Sequence, residues 1–382
     1  MTDLECYLDN AATTAPLPEA LAEAGPLLAE EFGNPSSLHP PGMAAARALK
    51  RAREALARQL DVPPQAVIFT SGGTESDNLA LHGVFDGEGA RGGRLLVSAF
   101  EHPAVAETAA ALERRGVPVG RIPVTRQGVV DLGRLEQLLD TDVRMVSCMA
   151  VNNELGTAQP LADIGRLIRA RAPRAVFHVD AVQAFTKTPL PWREAGVDLL
   201  SLSAHKVHAP KGAGALVRCR PVPLAPLIHG GGQEGGLRSG TENPHAVAAF
   251  AAAAPRVAAI HHGQSAERGA YHRNWLALLG EFPLARVFRS EAETPFIINF
   301  HVAPVPGEVA LHHLEAEGLY VSTGSACSTR RPEPSRTLLA VGLSEQQALS
   351  SLRLSFSIHN TVAGQERVFP AFRRAMEKLA KL

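Results

Sequence analysis

Seven short apolar segments, separated by helix-like patterns, constrain the fold of this chain more than any other feature of its sequence. Each segment is continuously hydrophobic rather than alternating, which is typical of strands buried on both faces of a sheet. The sequence therefore predicts an α/β fold with a mainly parallel, seven-stranded sheet. The predicted strands are residues 67–70, 94–98, 117–122, 144–151, 175–179, 199–203 and 213–218, and the predicted helices between the early strands are 76–85, 104–115, 132–140 and 161–171.

The length of 382 residues favours two domains, because a single hydrophobic core seldom grows so large. We expect a large α/β domain over residues 16–255 and a smaller α+β domain formed by residues 1–15 and 256–382. The pattern changes after an alanine-rich helix at 246–260. The segments of the smaller unit that read as two strands and a last helix are 295–302, 352–358 and 365–382.

The charge balance gives no indication of a nucleic-acid or membrane partner. Lysine plus arginine and aspartate plus glutamate number 38 each, so the formal net charge is zero. The first residues lack the basic and apolar regions of a secretion signal. The four cysteines are widely spaced and form no CxxC pair, which argues against a zinc ribbon or a disulfide framework. We therefore expect a cytoplasmic protein.

A lysine follows the predicted strand 199–203 in the sequence Ser203-Ala204-His205-Lys206. Desolvation disfavours the charged form of a buried lysine, so Lys206 is either paired or used chemically. A Schiff base with a carbonyl cofactor such as pyridoxal phosphate suits a desolvated amine. Taken alone, Lys206 leaves both interpretations open.

A small-residue turn at 70–78, with the sequence TSGGTESDN, lies between a predicted strand and a helix. The glycines, Gly73 among them, let the backbone approach a ligand, and Thr74 can donate a hydroxyl. Helix N-termini of this kind bind phosphate groups. The alternative is an ordinary capped turn.

Polar residues also follow three further strands. Asp180 can keep a pyridine nitrogen protonated, or it can cap a helix, and Gln183 can reach the cofactor's phenolic oxygen. His102 can stack on a planar ring and exchange protons, or it can be a core histidine. Asn153 lies in a polar turn after another apolar segment. Ligands bind beyond the carboxyl ends of strands in open parallel sheets, so this convergence favours a Schiff base at Lys206.

Cys327 lies in the small, polar, loop-like sequence STGSACSTRR and is the cysteine that we expect to be exposed and reactive. Arg330 and Arg331 follow it directly. They either favour the thiolate of Cys327 and dock an acidic acceptor, or they form a solvated pair of charges.

Taken together, these motifs resemble cysteine desulfurases of the NifS/IscS type, in the class V branch of fold-type I PLP-dependent transferases. The matching segments follow the family's order through nearly the whole chain. They are residues 8–14, 32–39, 70–78, 101–102, 152–154, 178–180, 203–206, 230–241, 324–327 and 352–355.

The resemblance implies roles for the residues around the cofactor ring. Lys206 binds pyridoxal 5'-phosphate as a Schiff base, Asp180 pairs with the pyridinium and Gln183 holds the phenolic oxygen. His102 stacks on the ring, and Asn153 approaches both cofactor and substrate.

The resemblance also implies a phosphate site and a homodimer. Gly73, Thr74, Ser203 and His205 bind the phosphate, and Thr241 reaches the phosphate across the dimer interface. Gly235, close to Thr241, stands where many relatives have arginine.

The implied reaction removes sulfur from L-cysteine, giving L-alanine and a persulfide on Cys327. Arg353 binds the substrate carboxylate, Lys206 takes the α-proton and His102 exchanges a proton, with no metal at the active site. The sulfur then passes to an acceptor protein, such as an iron–sulfur scaffold, for iron–sulfur cluster or other sulfur-containing cofactor or tRNA synthesis.

Three other functions stay open. The first is a selenocysteine lyase or another class V lyase or transaminase, although a transaminase needs no mobile cysteine. The second is an inactive scaffold that only binds partners. The third is a serine acyl-enzyme, because residues 203–206 also fit the SxxK pattern.

Overall fold

The computed structural model describes residues 3–87, 92–323 and 333–381. A seven-stranded sheet forms its centre, as the apolar segments predicted. Most of its strand residues are buried, which accounts for their continuous hydrophobicity. The strands are β1 (Val67–Thr70), β2 (Arg94–Ser98), β3 (Val119–Ile122), β4 (Val143–Ser147), β5 (Val176–Asp180), β6 (Leu199–Ser203) and β7 (Gly214–Arg218).

The strand order is β1-β7-β6-β5-β4-β2-β3. Strands β6, β5, β4, β2 and β3 pair in parallel, whereas β7 is antiparallel to both β6 and β1. All strands except β7 therefore run in one direction, and their carboxyl ends lie at one edge of the sheet. The mainly parallel sheet of the prediction is confirmed.

Helices cover the central sheet, and local signals set several of their ends. The Nδ1 atom of His39 caps α2, and Asp61, in the left-handed conformation, ends it. Asn243 caps α7 through its side chain. These helices are α1 (Pro18–Ala29), α2 (Pro40–Leu60), α3 (Gly73–Asp86), α4 (Pro103–Arg114), α5 (Leu132–Leu138), α6 (Leu161–Arg171) and α7 (Pro244–Gly263).

A second, four-stranded antiparallel sheet has the order β10-β11-β9-β8. Its strands are β8 (Arg286–Val287), β9 (Ile297–His301), β10 (Ser322–Thr323) and β11 (Ser351–Ser355). The helices around it are α8 (Ser265–Gly280), α9 (Gly307–Ala316), α10 (Arg336–Ala340), α11 (Glu345–Leu349) and α12 (Gln365–Leu379).

The second sheet has its own aromatic core. Trp275 is fully buried and its ring lies 4.9 Å from that of Phe369 and 5.1 Å from that of Phe372. Edge-to-face pairs of this kind each add about 0.5–1.5 kcal/mol to simple burial. Leu8 belongs to the same core, and a bridge between Asp9 and Ser355 joins the N-terminal segment to β11.

Several predicted boundaries were wrong by a few residues. The strand predicted at 144–151 ends at Ser147, and the strand predicted at 117–122 begins at Val119. Helix α3 begins at Gly73 rather than at residue 76, so its first turn includes Thr74. The division of the chain at residues 15 and 255 stays a prediction. Among the described residues, no helix is long and apolar enough to cross a membrane.

Candidate active site

A cavity of about 350 Å³ lies at the carboxyl ends of the parallel strands. Residues from β6, β5 and the N-terminus of α3 line it, and β11 of the second sheet closes one side. The cavity therefore lies where open parallel sheets bind their ligands. Most of the predicted site residues line it, namely Gly73, Thr74, His102, Asn153, Asp180, Gln183, Ser203, His205, Lys206 and Arg353.

Of the remaining predicted site residues, Thr241 lies in the described part of the chain and Cys327 does not. Thr241 is exposed, just before α7, and does not line the cavity. Cys327, with Arg330 and Arg331, falls outside the described residues.

Lys206 ends a single turn of 3-10 helix, Ala204–Lys206, that directly follows β6. Its Nζ donates hydrogen bonds to the backbone carbonyls of Ala11 and Ala12, the latter at 2.7 Å. These carbonyls belong to the N-terminal segment, far away in sequence. They fix the position of the amine inside the cavity.

Asp180 is the last residue of β5 and is 5% exposed. Its Oδ1 accepts a hydrogen bond from the backbone N–H of Val182 at 2.9 Å, so the carboxylate caps a turn, and not a helix as the alternative interpretation had predicted. Burial raises the pKa of Asp180, and the nearby His102 and Lys206 oppose that rise. A cationic group in the cavity would relieve this cost of burial.

His102 precedes α4 and caps it, because its Nδ1 accepts a hydrogen bond from the N–H of Ala104 at 3.1 Å. Burial lowers the pKa of His102. The acceptor role of Nδ1 assigns the ring proton to Nε2 in the neutral form. His102 thus combines a structural cap with a position on the cavity wall.

The side-chain amide of Gln183 is held at both ends. Its Nε2 donates to the carbonyl of Ala11 at 2.8 Å, and its Oε1 accepts from Nζ of Lys187 at 3.3 Å. The carbonyl of Ala11 therefore receives both Gln183 and Lys206. Burial, together with the charges of Lys206 and Arg353, lowers the pKa of Lys187 to about 7.

Arg353 projects from β11, and its side chain is 6% exposed. Its Nη2 forms an ion pair with Asp9 at 2.7 Å, and its Nη1 donates to the carbonyl of Asn153 at 3.0 Å. Its buried Nε has no hydrogen-bond partner in the described part of the chain. The guanidinium is thus held in place and retains a donor for an anionic group.

The sequence also belongs to a recognisable family. The aminotransferase class-V family model matches residues 6–368. The chain belongs to the class-V aminotransferase family.

Individual relatives in this family agree with the resemblance found in the sequence. A cysteine desulfurase IscS from Dictyoglomus turgidum is 38% identical over 378 residues, which cover 98% of this chain and 95% of the relative. The structure of a NifS-like protein has a TM-score of 0.91 at 35% identity, covering 98% of this chain and 99% of that one. The structure of SspA in complex with cysteine has a TM-score of 0.80 at 31% identity, with 92% and 98% covered. The NifS/IscS resemblance and the fold-type I prediction are therefore confirmed.

Enzymes of the class-V aminotransferase family depend on pyridoxal phosphate, which confirms the predicted cofactor. The cavity residues fit its phosphate group. Gly72 precedes α3 and no side chain caps this helix, so its first N–H groups face the cavity end at Gly73. The Oγ of Ser203 is buried and has no partner among the described residues. A Cβ at Gly73 would lie 2.8 Å from Cγ2 of Val182, so a larger residue would require Val182 to shift.

Two buried residues at the cavity were missed by the sequence analysis: Asp77 lines it, and His178 lies next to Asp77. The Oδ1 atom of Asp77, on α3, lies 3.6 Å from the Nε2 atom of His178, on β5. His178 bonds the hydroxyls of Ser147 at 2.8 Å and Ser201 at 3.0 Å, and burial lowers its pKa to about 3. Burial raises the pKa of Asp77 well above its usual value, as does the charge of Asp180. Spacing could have found both, because Asp77 follows Thr74 by one helical turn and His178 precedes Asp180 by one strand repeat.

Glu101, beside His102 in the sequence, is another buried acid. It accepts hydrogen bonds from the N–H of Met149 at 2.9 Å and from the hydroxyl of Ser98. Burial raises the pKa of Glu101 to about 8. The folded protein therefore keeps a proton on Glu101 that the unfolded chain loses above its ordinary pKa of 4.5.

We expect Glu101 to make stability decrease with rising pH between about 4.5 and 8. In this range the folded state binds more protons than the unfolded state, so unfolding becomes easier as the pH rises. One such group contributes at most about 1.4 kcal/mol per pH unit. Glu101→Gln, which stays neutral, should reduce this slope in urea unfolding at pH 5.5 and 7.5, whereas Glu19→Gln on exposed α1 should not. Equal slopes for Glu101→Gln and the unchanged chain would contradict the role of Glu101.

Proposed function

We propose that this chain is a cysteine desulfurase that uses pyridoxal phosphate to convert L-cysteine into L-alanine, with transfer of the sulfur to Cys327. The observation that carries the proposal is the cavity, which brings the amine of Lys206, the carboxylate of Asp180 and the guanidinium of Arg353 together. The similarity to relatives named cysteine desulfurase supports the substrate. The related SspA structure contains cysteine.

Pyridoxal phosphate, when bound, supplies an aldehyde that condenses with amines and a pyridine ring that accepts negative charge. Lys206 would bind it covalently, and Asp180 would keep its ring nitrogen protonated. The Nε2 of Gln183 donates toward its phenolic oxygen. Ser203 and the N-terminus of α3 hold its phosphate.

Arg353 binds the carboxylate of L-cysteine and thereby orients the substrate. Its contacts with Asp9 and Asn153 hold the guanidinium still, so little side-chain entropy is lost on binding. The amine of Lys206, on the wall of the same cavity, would take the α-proton of the bound substrate. His102 carries a proton on Nε2 that it can donate to the three-carbon fragment at the end of the reaction.

The thiolate of Cys327 attacks the sulfur atom of the substrate, and the new S–S bond of the persulfide forms as the Cβ–S bond of the substrate breaks. The electron pair of the broken bond leaves with the three-carbon fragment, which takes up a proton and becomes L-alanine. The position of Cys327 in the chain supports this role, because β10 ends at Thr323 and its Ser322 pairs with Arg353 in the register of β11. In the sequence, Cys327 follows Thr323 by four residues. The proposed nucleophile thus follows closely after the strand that pairs with Arg353.

A homodimer completes the proposal. The segment that carries Thr241 is fixed by Glu234, which pairs with Arg53 at 2.7 Å, and by Arg238, which pairs with Glu75 at 2.9 Å. Thr241 itself is exposed, and we propose that it reaches the phosphate of a second copy. Gly235 in this segment has φ of 66°, a left-handed conformation that favours glycine over arginine.

The sulfur then leaves the protein. We propose that Cys327 passes it to an acceptor protein, such as an iron–sulfur scaffold, in the cytoplasm. Arg330 and Arg331, directly after Cys327, would suit an acceptor with an acidic surface.

The proposed function is tested by incubating the purified chain, loaded with pyridoxal phosphate, with L-cysteine and a thiol reductant. We expect alanine and sulfide in equal amounts, without any 2-oxo acid. Supplied instead with L-alanine and a 2-oxo acid, the protein should transfer no amino group. Transamination in that reaction would contradict the proposal and favour the transaminase alternative, and activity on L-selenocysteine alone would favour a selenocysteine lyase.

A further inference from the structure

A second cavity, of about 320 Å³, lies beside the active site and is lined by three arginines. Arg286 and Arg289 come from β8 and the segment after it, and Arg126 comes from the loop after β3. The turn at Gly342, between α10 and α11, forms the opposite wall. Among the described residues, no carboxylate lines this cavity.

The register of the second sheet connects this cavity with the active site. Asn299 on β9 pairs with Arg353 on β11, and His301 pairs with Arg286 on β8. Paired residues of an antiparallel sheet point to the same face, as do residues two apart on one strand. The side chains of Asn299 and Arg353 are therefore neighbours on one face of the sheet. Asn299 lines the second cavity, and Arg353 lines the active-site cavity.

Asn299 is 1% exposed, and neither its Nδ2 nor its Oδ1 has a hydrogen-bond partner among the described residues. The buried Nδ1 of His301 likewise has none in that part of the chain. An unsatisfied buried polar group costs about 1–3 kcal/mol, so such groups are ordinarily paired with protein, water or a ligand. The side chain of Asn299 thus offers both a donor and an acceptor to an occupant of the cavity.

The arginines give the cavity an excess of positive charge. Arg289 is paired with Glu293 at 2.8 Å, but Arg126 and Arg286 have no ion pair within the described ranges. Burial, together with the charge of Arg286, lowers the pKa of His301, which favours its neutral form. His301 therefore does not offset the charge of the arginines. An anion would balance Arg126 and Arg286 while it bonds Asn299.

We propose that this cavity binds a small oxyanion, a phosphate or a carboxylate, between Arg286, Arg126 and Asn299. The oxygen atoms of such an anion accept hydrogen bonds from the guanidinium groups and from Nδ2 of Asn299. A hydroxyl on the same ligand donates to Oδ1 of Asn299. Hydrogenphosphate and hydroxy acids carry both kinds of group.

The test is calorimetric titration of the full chain, loaded with pyridoxal phosphate so that the phosphate site of the first cavity is filled. The probes are inorganic phosphate and malate, which distinguish a phosphate ligand from a hydroxy acid. We expect one anion to bind per chain. Tighter binding of either probe supports the site and shows whether its ligand is a phosphate or a hydroxy acid. Arg286→Gln should weaken binding roughly tenfold or more, because it removes a charge-assisted hydrogen bond.

Asn299→Asp changes the shape of the side chain little and places a negative charge in the cavity, so it should weaken binding by a similar factor. Arg114→Gln, at an exposed arginine of α4, should leave the affinity unchanged, and thermal melts would verify that each variant folds. The absence of saturable binding at millimolar concentrations would overturn the proposal. Binding that survives both Arg286→Gln and Asn299→Asp would place the anion elsewhere and would also overturn it.

Discussion

Lys206→Ala is expected to abolish covalent attachment of pyridoxal phosphate and to lower turnover roughly a thousandfold or more, in the range of a lost general base. The amine of Lys206 is held by the carbonyls of Ala11 and Ala12 on the cavity wall, and an alanine leaves this position empty. Borohydride reduction followed by peptide mass spectrometry measures the attachment directly. In the unchanged chain, the cofactor mass should appear on the peptide that contains Lys206.

Two other lysines sharpen this experiment. Lys211 is exposed and lies five residues beyond Lys206, so Lys211→Ala should keep the label and the turnover. Lys187 bonds Gln183 at the cavity and is the competing amine. A cofactor label found on Lys187 in the unchanged chain would contradict the assignment of Lys206.

Cys327→Ser is expected to reduce the release of sulfide and alanine by roughly a thousandfold or more, a loss typical of a missing nucleophile. The substrate should still bind, because Arg353 and its contacts with Asp9 and Asn153 are unchanged. The visible spectrum of the variant should therefore still change when L-cysteine is added. After reaction with L-cysteine, mass spectrometry of the unchanged chain should find one added sulfur on the peptide with Cys327.

The other cysteines provide matched controls. Burial raises the pKa of Cys6, and it raises the pKa of Cys148 well above its usual value. It raises the pKa of Cys219 to about 12. These thiols therefore stay protonated and are poor nucleophiles. Cys6→Ser should keep full turnover. Full turnover in Cys327→Ser, or added sulfur on Cys6 in the unchanged chain, would contradict the role of Cys327.

The hydrophobic pattern predicted the central sheet closely. The predicted strands 94–98 and 199–203 and the helix 161–171 coincide with β2, β6 and α6. Strands buried on both faces leave a continuous apolar signal, and an amphipathic helix leaves a period of 3.6 residues. Both signals are local, so one sequence is enough to read them. The ends of the elements were predicted less closely. Helix α3 begins at Gly73, in a turn whose sequence has no hydrophobic period.

The polar residues at the ends of the strands also predicted most of the residues that line the cavity. Thr74, His102, Asn153 and Lys206 follow strands and Asp180 ends one, and the parallel arrangement brings them to one edge. Asp77 and His178 were given no role, although their spacing from Thr74 and Asp180 could have indicated them; their contact across α3 and β5 is seen only in the structure. Lys187 was not foreseen either, since its amine becomes informative only through its bond to Gln183.

The sequence by itself determined most of the strands and helices and the edge of the sheet where the site lies. The hydrophobic period is a local property of the chain, and parallel strands place their carboxyl ends at one edge. Only the tertiary structure decided which distant groups meet there. The carbonyl of Ala11 receives Lys206 from 195 residues away, and Asp9 fixes Arg353 across 344 residues. Such contacts follow from packing of the N-terminal segment between the two sheets, and packing depends on the whole chain at once. The same packing places Asn299 beside Arg353 and leaves its amide without a partner among the described residues.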